Sequence, residues 1–304
     1  MTETTVRGRL ARLRPRLIFA RFSEPSPRSW LTNWAGPRPF TKLLVGMTVL
    51  YSFFSSEGVV FAADRMLTKR LPSGKTAFHS LAESKLFKVP NVSYGKGNGL
   101  LGYFGCAEVG GQSMARWLSG FCRKWAGGTP AHFGAELARA VSDEQTPLQR
   151  REILGFHLAA FERVGGYTVP GFWFIRNGEI NAAGRYARLP RGFRVDEQLR
   201  QRDFSAVQPS ALRDRLRRIQ RVHGMPYWYR NGDLEAFVHV ADALKDAVYR
   251  VKQTRGYRVP TTVEAWEQLG KVLVVASCSI AKATYAAGTP TIGGRPTTEF
   301  MRWV

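Results

Sequence analysis

The chain has 304 residues and a formal net charge of +22 at pH 7, with 44% hydrophobic and 12% aromatic residues. This composition is sufficient for a packed core and excludes global disorder. The three cysteines are odd in number and lack metal-type spacing, which argues against a disulfide framework and favours a reducing, cytoplasmic setting.

The positive charge favours acidic partners such as nucleic acid, acidic peptides or an anionic membrane surface. The sequence carries no RNA-binding aromatic motif, zinc-finger spacing or helix-turn-helix pattern. We therefore interpret the charge as an arginine-rich solvated surface and keep nucleic-acid binding as an alternative.

Residues 1–46 form a distinct basic segment with eight Arg and one Lys against two Glu, and with five Pro between Pro15 and Pro39. Such a segment would not pack by itself. We expect residues 1–47 to be an extension: a propeptide, a targeting segment, or sequence translated from a start codon placed too early. The apolar run from Lys42 to Phe54 is shorter than the ~18 residues of a spanning helix, so we expect no membrane anchor.

Residues 44–65 predict two β-strands around a turn at Ser55 to Gly58, because β-branched and aromatic residues flank a polar break that contains glycine. Thr48 precedes Asp64 by 16 residues in the numbering. A hairpin of this span brings its first and last residues together. A hydroxyl and a carboxylate are therefore expected to share one site.

Further strands are predicted over Lys85–Val89 and 100–105, with a turn-rich connection over 91–99. The next two segments predict amphipathic helices, the second with Thr129 as its N-cap and Pro130 at its first position. Two helices after a run of strands predict a helix layer on a sheet.

Farther along, residues 153–161 and 168–175 predict a strand pair, and 233–251 predict a helix. A capping box at Thr261 and Glu264 predicts the start of another helix. Residues 185–222 are dense in arginine and weakly periodic, and no element is predicted for them.

Four ordered motifs resemble the proteasome β-subunit family, the threonine-type N-terminal nucleophile hydrolases. They are Thr48 at the start of a strand, Gly58-Val-Val-Phe-Ala-Ala-Asp-Arg65, Lys85-Leu-Phe-Lys-Val89, and the glycine-rich strand end Gly102-Tyr-Phe-Gly-Cys-Ala-Glu108. The segment Thr291–Pro296 resembles the closing strand of the family. The resemblance extends over residues 46–180 and is thin afterwards.

The resemblance implies an α+β fold, a four-layer αββα sandwich with two antiparallel sheets between helix layers, over residues 48–304. It implies a cytoplasmic endopeptidase that acts in a homo-oligomeric ring on peptide or unfolded-protein substrates, with a partner ATPase conceivable. We expect no cofactor, and the five histidines show no metal-ligand spacing. A catalytically inactive ring subunit is the alternative on the same fold.

The family's pattern assigns four site residues. Thr48 would be the nucleophile, Lys85 a fixed positive charge beside it, Asp64 the partner that orients Lys85, and the Gly105 amide the oxyanion donor. An N-terminal threonine carries its own base, since the pKa of its α-amine, about 7.7 to 8, lies near the working pH. Thr48 would therefore have to follow a broken bond at Met47, made by methionine removal or by autocatalytic processing.

Three neighbouring assignments stay open. Lys88 is a rival for Lys85, and the oxyanion position could shift by one residue onto Cys106, which we otherwise interpret as a small buried residue. The family's later Ser-Gly motif has no clear counterpart, although Asn231-Gly232-Asp233 stands roughly where it would fall.

Overall fold

A computed structural model describes most of the chain beyond its basic segment. The described residues are 48–70, 76–80, 83–181, 186–232, 234–254, 256, 258–284 and 292–303. The extension expected over residues 1–47 lies outside them.

The described residues form a mixed α+β structure. The strands are β1 (Val49–Phe54), β2 (Gly58–Ala63), β3 (Leu67–Arg70), β4 (Thr76–Ser80), β5 (Leu86–Ser93), β6 (Gly97–Gly105), β7 (Glu108–Val109), β8 (Gln112–Ser113), β9 (Leu154–Val164), β10 (Tyr167–Arg176), β11 (Gly178–Ile180), β12 (Tyr186–Arg188), β13 (Arg194–Glu197), β14 (Tyr227–Gly232) and β15 (Thr297–Arg302). The helices are α1 (Met114–Lys124), α2 (Pro130–Glu144), α3 (Leu212–His223), α4 (Leu234–Lys252) and α5 (Val263–Thr284).

Two large antiparallel sheets contain nine of these strands. One sheet has the order β14-β1-β2-β15, and the other has the order β13-β10-β9-β6-β5. In the first sheet the hairpin partners β1 and β2 lie at the centre, with Leu50 opposite Ala63. Because neighbouring residues of a strand point to opposite faces, β1 and β2, which are buried along their whole length, contribute to two cores.

The core between the sheets contains side chains from both of them. Leu50, Phe54 and Phe61 from the first sheet cluster there with Phe104 and Phe172 from the second. Phe172 stacks on Tyr229, with ring centroids 4.1 Å apart. This stacking packs β14 of the four-stranded sheet against β10 of the five-stranded sheet.

Helices cover the outer faces. Side chains of α1 and α2, such as Leu118 and Phe133, pack on the five-stranded sheet. On the four-stranded sheet, Trp266 and Leu273 of α5 pack against the opposite face of β1 and β2. The expectation of an α+β protein with two large antiparallel sheets and several helices is confirmed.

Most local predictions are confirmed, with small corrections. The turn between the first two strands forms where expected, with the Ser55 amide donating to the Gly58 carbonyl at 2.9 Å. Thr129 caps α2, and its hydroxyl accepts from the His132 amide. The capping box at Thr261 is wrong by one residue, because the Thr262 hydroxyl accepts from the Ala265 amide at 3.3 Å.

Two further predictions differ from the structure. The turn-rich connection is shorter than the predicted 91–99, since β5 continues to Ser93 and β6 begins at Gly97. The unassigned region 185–222 contains β12, β13 and α3. Strands β12 and β13 are only three and four residues long, which is too short for an alternation of apolar and polar residues to be visible in the sequence.

Truncation of Phe172 tests the core between the sheets. Phe172 is fully buried, so Phe172→Ala should lower the free energy of unfolding by about 3–5 kcal/mol through lost burial and a cavity. Val222→Ala on α3 is the control, because Val222 is 58% exposed and its loss should change stability by no more than about 0.5 kcal/mol. Urea denaturation measures both, and equal losses would contradict the assigned core.

Candidate active site

Thr48 lies directly before β1 and is almost fully buried, at 2% exposure. The β1–β2 pairing continues past the strand ends, since the Asp64 amide donates to the Val49 carbonyl at 3.2 Å. The first and last residues of the hairpin therefore lie side by side, as the sequence spacing predicted.

Asp64 follows β2 and has no exposed surface. One carboxylate oxygen accepts from the Val49 amide at 3.0 Å. The other accepts from the amides of Met66 at 3.2 Å and Gly293 at 3.1 Å. Three backbone donors thus hold the carboxylate in one orientation, which compensates for the burial of its charge.

Lys85 connects the two groups. Its Nζ lies 2.8 Å from Asp64 Oδ1 and 3.0 Å from Thr48 Oγ1, and the side chain is completely buried. The Lys85 residue directly precedes β5, where its carbonyl accepts from the Tyr103 amide of β6 at 3.2 Å. The sheets thus bring hydroxyl, ammonium and carboxylate together from three segments.

The electrostatics of this group follow from its burial. The pKa of Lys85 is lowered because burial disfavours the ammonium, although the Asp64 carboxylate acts in the opposite direction. Burial also raises the pKa of the Cys278 thiol on α5 to about 12, with Asp64 adding to the rise and Lys85 opposing it. Helix α5 therefore lies within electrostatic range of both charges.

Gly105 ends β6 with a φ of 100°, a conformation that favours glycine. A Cβ at this position would also overlap the Ile153 carbonyl. Gly105 lies two residues beyond Tyr103, the residue bonded to Lys85, or roughly 7 Å along the strand. The structure thus places Gly105 at the Lys85 end of β6, and its role as an oxyanion donor stays a prediction.

The two rival residues lie in different surroundings. Lys88 has a side chain that is 60% exposed, and it pairs with Glu299 at 3.3 Å. Cys106 is buried, its thiol donates to the Glu108 carbonyl, and burial raises the pKa of that thiol. A solvated amine is poorly suited to hold charge beside a buried hydroxyl, which favours Lys85 over Lys88. The thiol does not bear on which backbone amide is the oxyanion donor, so Gly105 and Cys106 both stay open for that role.

Two glycines that the sequence did not assign to the site also contact it. Gly232 pairs with Val49, has a φ of 123°, and approaches so closely that a Cβ would overlap the Thr48 carbonyl. Gly293 donates to Asp64, and its carbonyl accepts from the amides of Arg65 and Met66. The sequence signals that could have identified these positions are the dipeptides Asn231-Gly232 and Gly293-Gly294, because such dipeptides mark turns and other unusual backbone conformations.

A buried hydrogen-bond chain supports Gly232. The Ser52 hydroxyl lies 2.7 Å from His157 Nδ1, and His157 Nε2 lies 2.6 Å from Asn231 Oδ1. Because an amide oxygen only accepts, His157 carries its proton on Nε2 and Ser52 donates to Nδ1. The hydroxyl of Tyr186 then accepts from Asn231 Nδ2 and from the Gly232 amide, each at 3.2 Å.

Chemically, the cluster can activate a hydroxyl in a site without bulk water. Lys85 donates to Thr48 Oγ1 and thereby stabilises negative charge that develops there. Its lowered pKa also eases the transfer of a proton through it. In the described part of the chain, no three His, Cys, Asp or Glu side chains converge as metal ligands, and no helix is long and apolar enough to cross a membrane.

Comparison with known proteins does not assign the chain to a family. The sequence matches no family model and no curated protein.

Substitution of Asp64 tests the buried ion pair. Asp64→Asn leaves Lys85 charged, fully buried and without its counter-ion, and should lower the free energy of unfolding by about 3–5 kcal/mol. The double variant Asp64→Asn/Lys85→Met removes the unpaired charge and should be more stable than the single variant. Chemical denaturation gives the comparison, and a double variant less stable than the single one would contradict a buried pair.

His157 should make stability depend on pH. Burial lowers its pKa from 6.5 to about 3, so in that range the unfolded chain binds more protons than the folded chain. This contribution is complete above the unfolded pKa and declines as the pH falls, by about 2 kcal/mol between about pH 7 and about pH 5. His157→Gln has no such proton to bind. Urea denaturation at both pH values should show the stability gap between wild type and variant shrinking by that amount, whereas a constant gap would exclude the effect.

Proposed function

We propose that the chain is a threonine-type endopeptidase of the N-terminal nucleophile class, with Thr48 as its nucleophile. The observation that carries this proposal is the position of Lys85 Nζ, 3.0 Å from the Thr48 hydroxyl and 2.8 Å from the Asp64 carboxylate, inside a buried site. A buried lysine is costly to a fold unless it is paired. Here Lys85 is paired with Asp64, and it also donates a hydrogen bond to the Thr48 hydroxyl.

The proposed mechanism assigns one task to each group. After cleavage of the bond before Thr48, the free α-amine takes the hydroxyl proton, and Oγ1 attacks the substrate carbonyl. Lys85 stabilises the negative charge on Oγ1, and Asp64 orients Lys85. The Gly105 amide donates to the tetrahedral oxyanion, a contribution of about 3–4 kcal/mol in comparable sites. Collapse of the tetrahedral intermediate breaks the peptide C–N bond, and the α-ammonium gives its proton to the departing amine. Water then attacks the acyl ester, which releases the product as a carboxylic acid and returns a hydrogen to Oγ1.

The packing of the described elements supports the four-layer αββα sandwich as the fold. Separate apolar clusters lie between α1, α2 and the five-stranded sheet, between the two sheets, and between α4, α5 and the four-stranded sheet. That order of layers is the one implied by the resemblance to the proteasome β-subunits.

The setting of this activity is also part of the proposal. We propose a cytoplasmic homo-oligomeric ring that encloses the Thr48 sites and degrades peptides or unfolded proteins, with a partner ATPase as the source of unfolded substrate. Residues 1–47 would be absent from the working chain.

A non-catalytic ring subunit is the second candidate. It is favoured by the burial of Thr48, since a side chain at 2% exposure is closed to a substrate in the chain as it stands. The two candidates differ in the N-terminus of the assembled particle, which is Thr48 for the peptidase and an earlier residue for the structural subunit.

Activity of variants tests the peptidase. Thr48→Ala should abolish cleavage of peptide-amide reporters and casein while leaving assembly intact, because it removes the nucleophile and little volume. Lys85→Ala should lower turnover by about a hundredfold or more, since it removes charge stabilisation at the nucleophile. Lys88→Ala is the matched control and should keep wild-type turnover, because Lys88 is exposed.

Particles are prepared from the full chain and from a chain that begins at Met47. Each preparation is analysed by intact mass, by N-terminal sequencing and by its turnover. Full activity of Thr48→Ala would exclude Thr48 as the nucleophile. Particles that begin at Thr48 yet cleave nothing would exclude the peptidase, and particles that retain the preceding residues would favour the structural subunit.

A further inference from the structure

A basic cleft with a volume of about 510 Å³ lies beside the C-terminal end of α2 and the segment between β12 and β13. Its walls include four arginines and one carboxylate: Arg139, Arg150, Arg188, Arg191 and Asp143. It shares no lining residue with the site around Thr48, so it is a second, distinct place on the molecule.

The charges of the cleft are incompletely balanced. Arg139 is paired along its own helix with Glu136 at 2.6 Å and with Asp143 at 3.4 Å. Among the residues that the structure describes, no ion pair involves Arg188 or Arg191, and both are exposed. At least two guanidinium groups are therefore available to an anion.

Gln145 adds a buried donor to the same cleft. The residue is 5% exposed, and its Nε2 has no hydrogen-bond partner among the described residues. Buried polar groups are nearly always paired, and a ligand oxygen that enters the cleft would supply the acceptor that this amide lacks.

We propose that this cleft binds a small ligand that carries two or more phosphate groups, either pyrophosphate or a nucleoside diphosphate. Guanidinium groups bind phosphate oxygens through paired hydrogen bonds. Once Arg139 is set aside as paired, the other three arginines of the cleft exceed what a single carboxylate ligand would neutralise. The volume lies in the range of about 300–1,000 Å³ typical of ligand pockets. The ring of Phe193 forms an apolar part of the wall, where a base could lie.

Isothermal titration calorimetry of the full chain with pyrophosphate, ADP and adenosine tests the proposal. Pyrophosphate and ADP should bind, adenosine should not, and the affinity should fall as salt is added. Tighter binding of ADP than of pyrophosphate would identify a nucleotide as the ligand, and equal binding would identify the inorganic anion.

Variants locate the binding. Arg188→Gln/Arg191→Gln should weaken the binding of both phosphate ligands by about tenfold or more, and Gln145→Leu should weaken it by about fivefold. The matched control, Arg116→Gln/Arg123→Gln, removes the same charge from exposed positions on α1 and should change affinity by less than about twofold. Thermal unfolding of each variant verifies that it is folded.

Three results would overturn the proposal. The first is no binding of pyrophosphate or ADP at low salt. The second is equal weakening by the cleft variant and the control, which would indicate general surface charge. The third is binding of single-stranded RNA without binding of pyrophosphate, which would identify the basic surface as a nucleic-acid interface.

Discussion

The buried pair of Lys85 and Asp64 is the interaction on which the rest of the site depends. Both side chains are completely buried, 2.8 Å apart, and an unpaired charge at either position would destabilise the fold by several kcal/mol. The surroundings are therefore arranged around the carboxylate, with amides of Val49, Met66 and Gly293 as donors. A second N–H of the ammonium donates to Thr48.

A second set of polar contacts supports the strand beside Thr48. The chain from Ser52 through His157 to Asn231 runs between the sheets, surrounded by aromatic rings such as Phe172 and Phe174. A neutral imidazole in such surroundings needs a partner on each nitrogen, and it has both. This requirement fixes β14 against β1 and positions Gly232 at the Thr48 carbonyl.

The residues close in sequence were predictable, and the distant ones were not. The spacing of Thr48 and Asp64 follows from hairpin geometry, and Lys85 lies in a short apolar strand pattern. Gly232 and Gly293 come from segments that only the family resemblance relates to the fold, and it is the pairing of β14 and β15 with the hairpin that brings them near Thr48. The misplaced cap has a local cause, since Thr261 and Thr262 are chemically equivalent and the helix position alone selects Thr262.

The hydrogen bond from Gly293 to Asp64 joins residues 229 positions apart in the chain. Contacts of such separation form late, because the loop between them must first be ordered. A growing or partly folded chain that lacks residue 293 therefore lacks one of the three backbone donors that hold the Asp64 carboxylate. Assembly of the site therefore depends on completion of the whole domain, so that the proposed reactivity at Thr48 would arise only in a chain that has already reached its native topology.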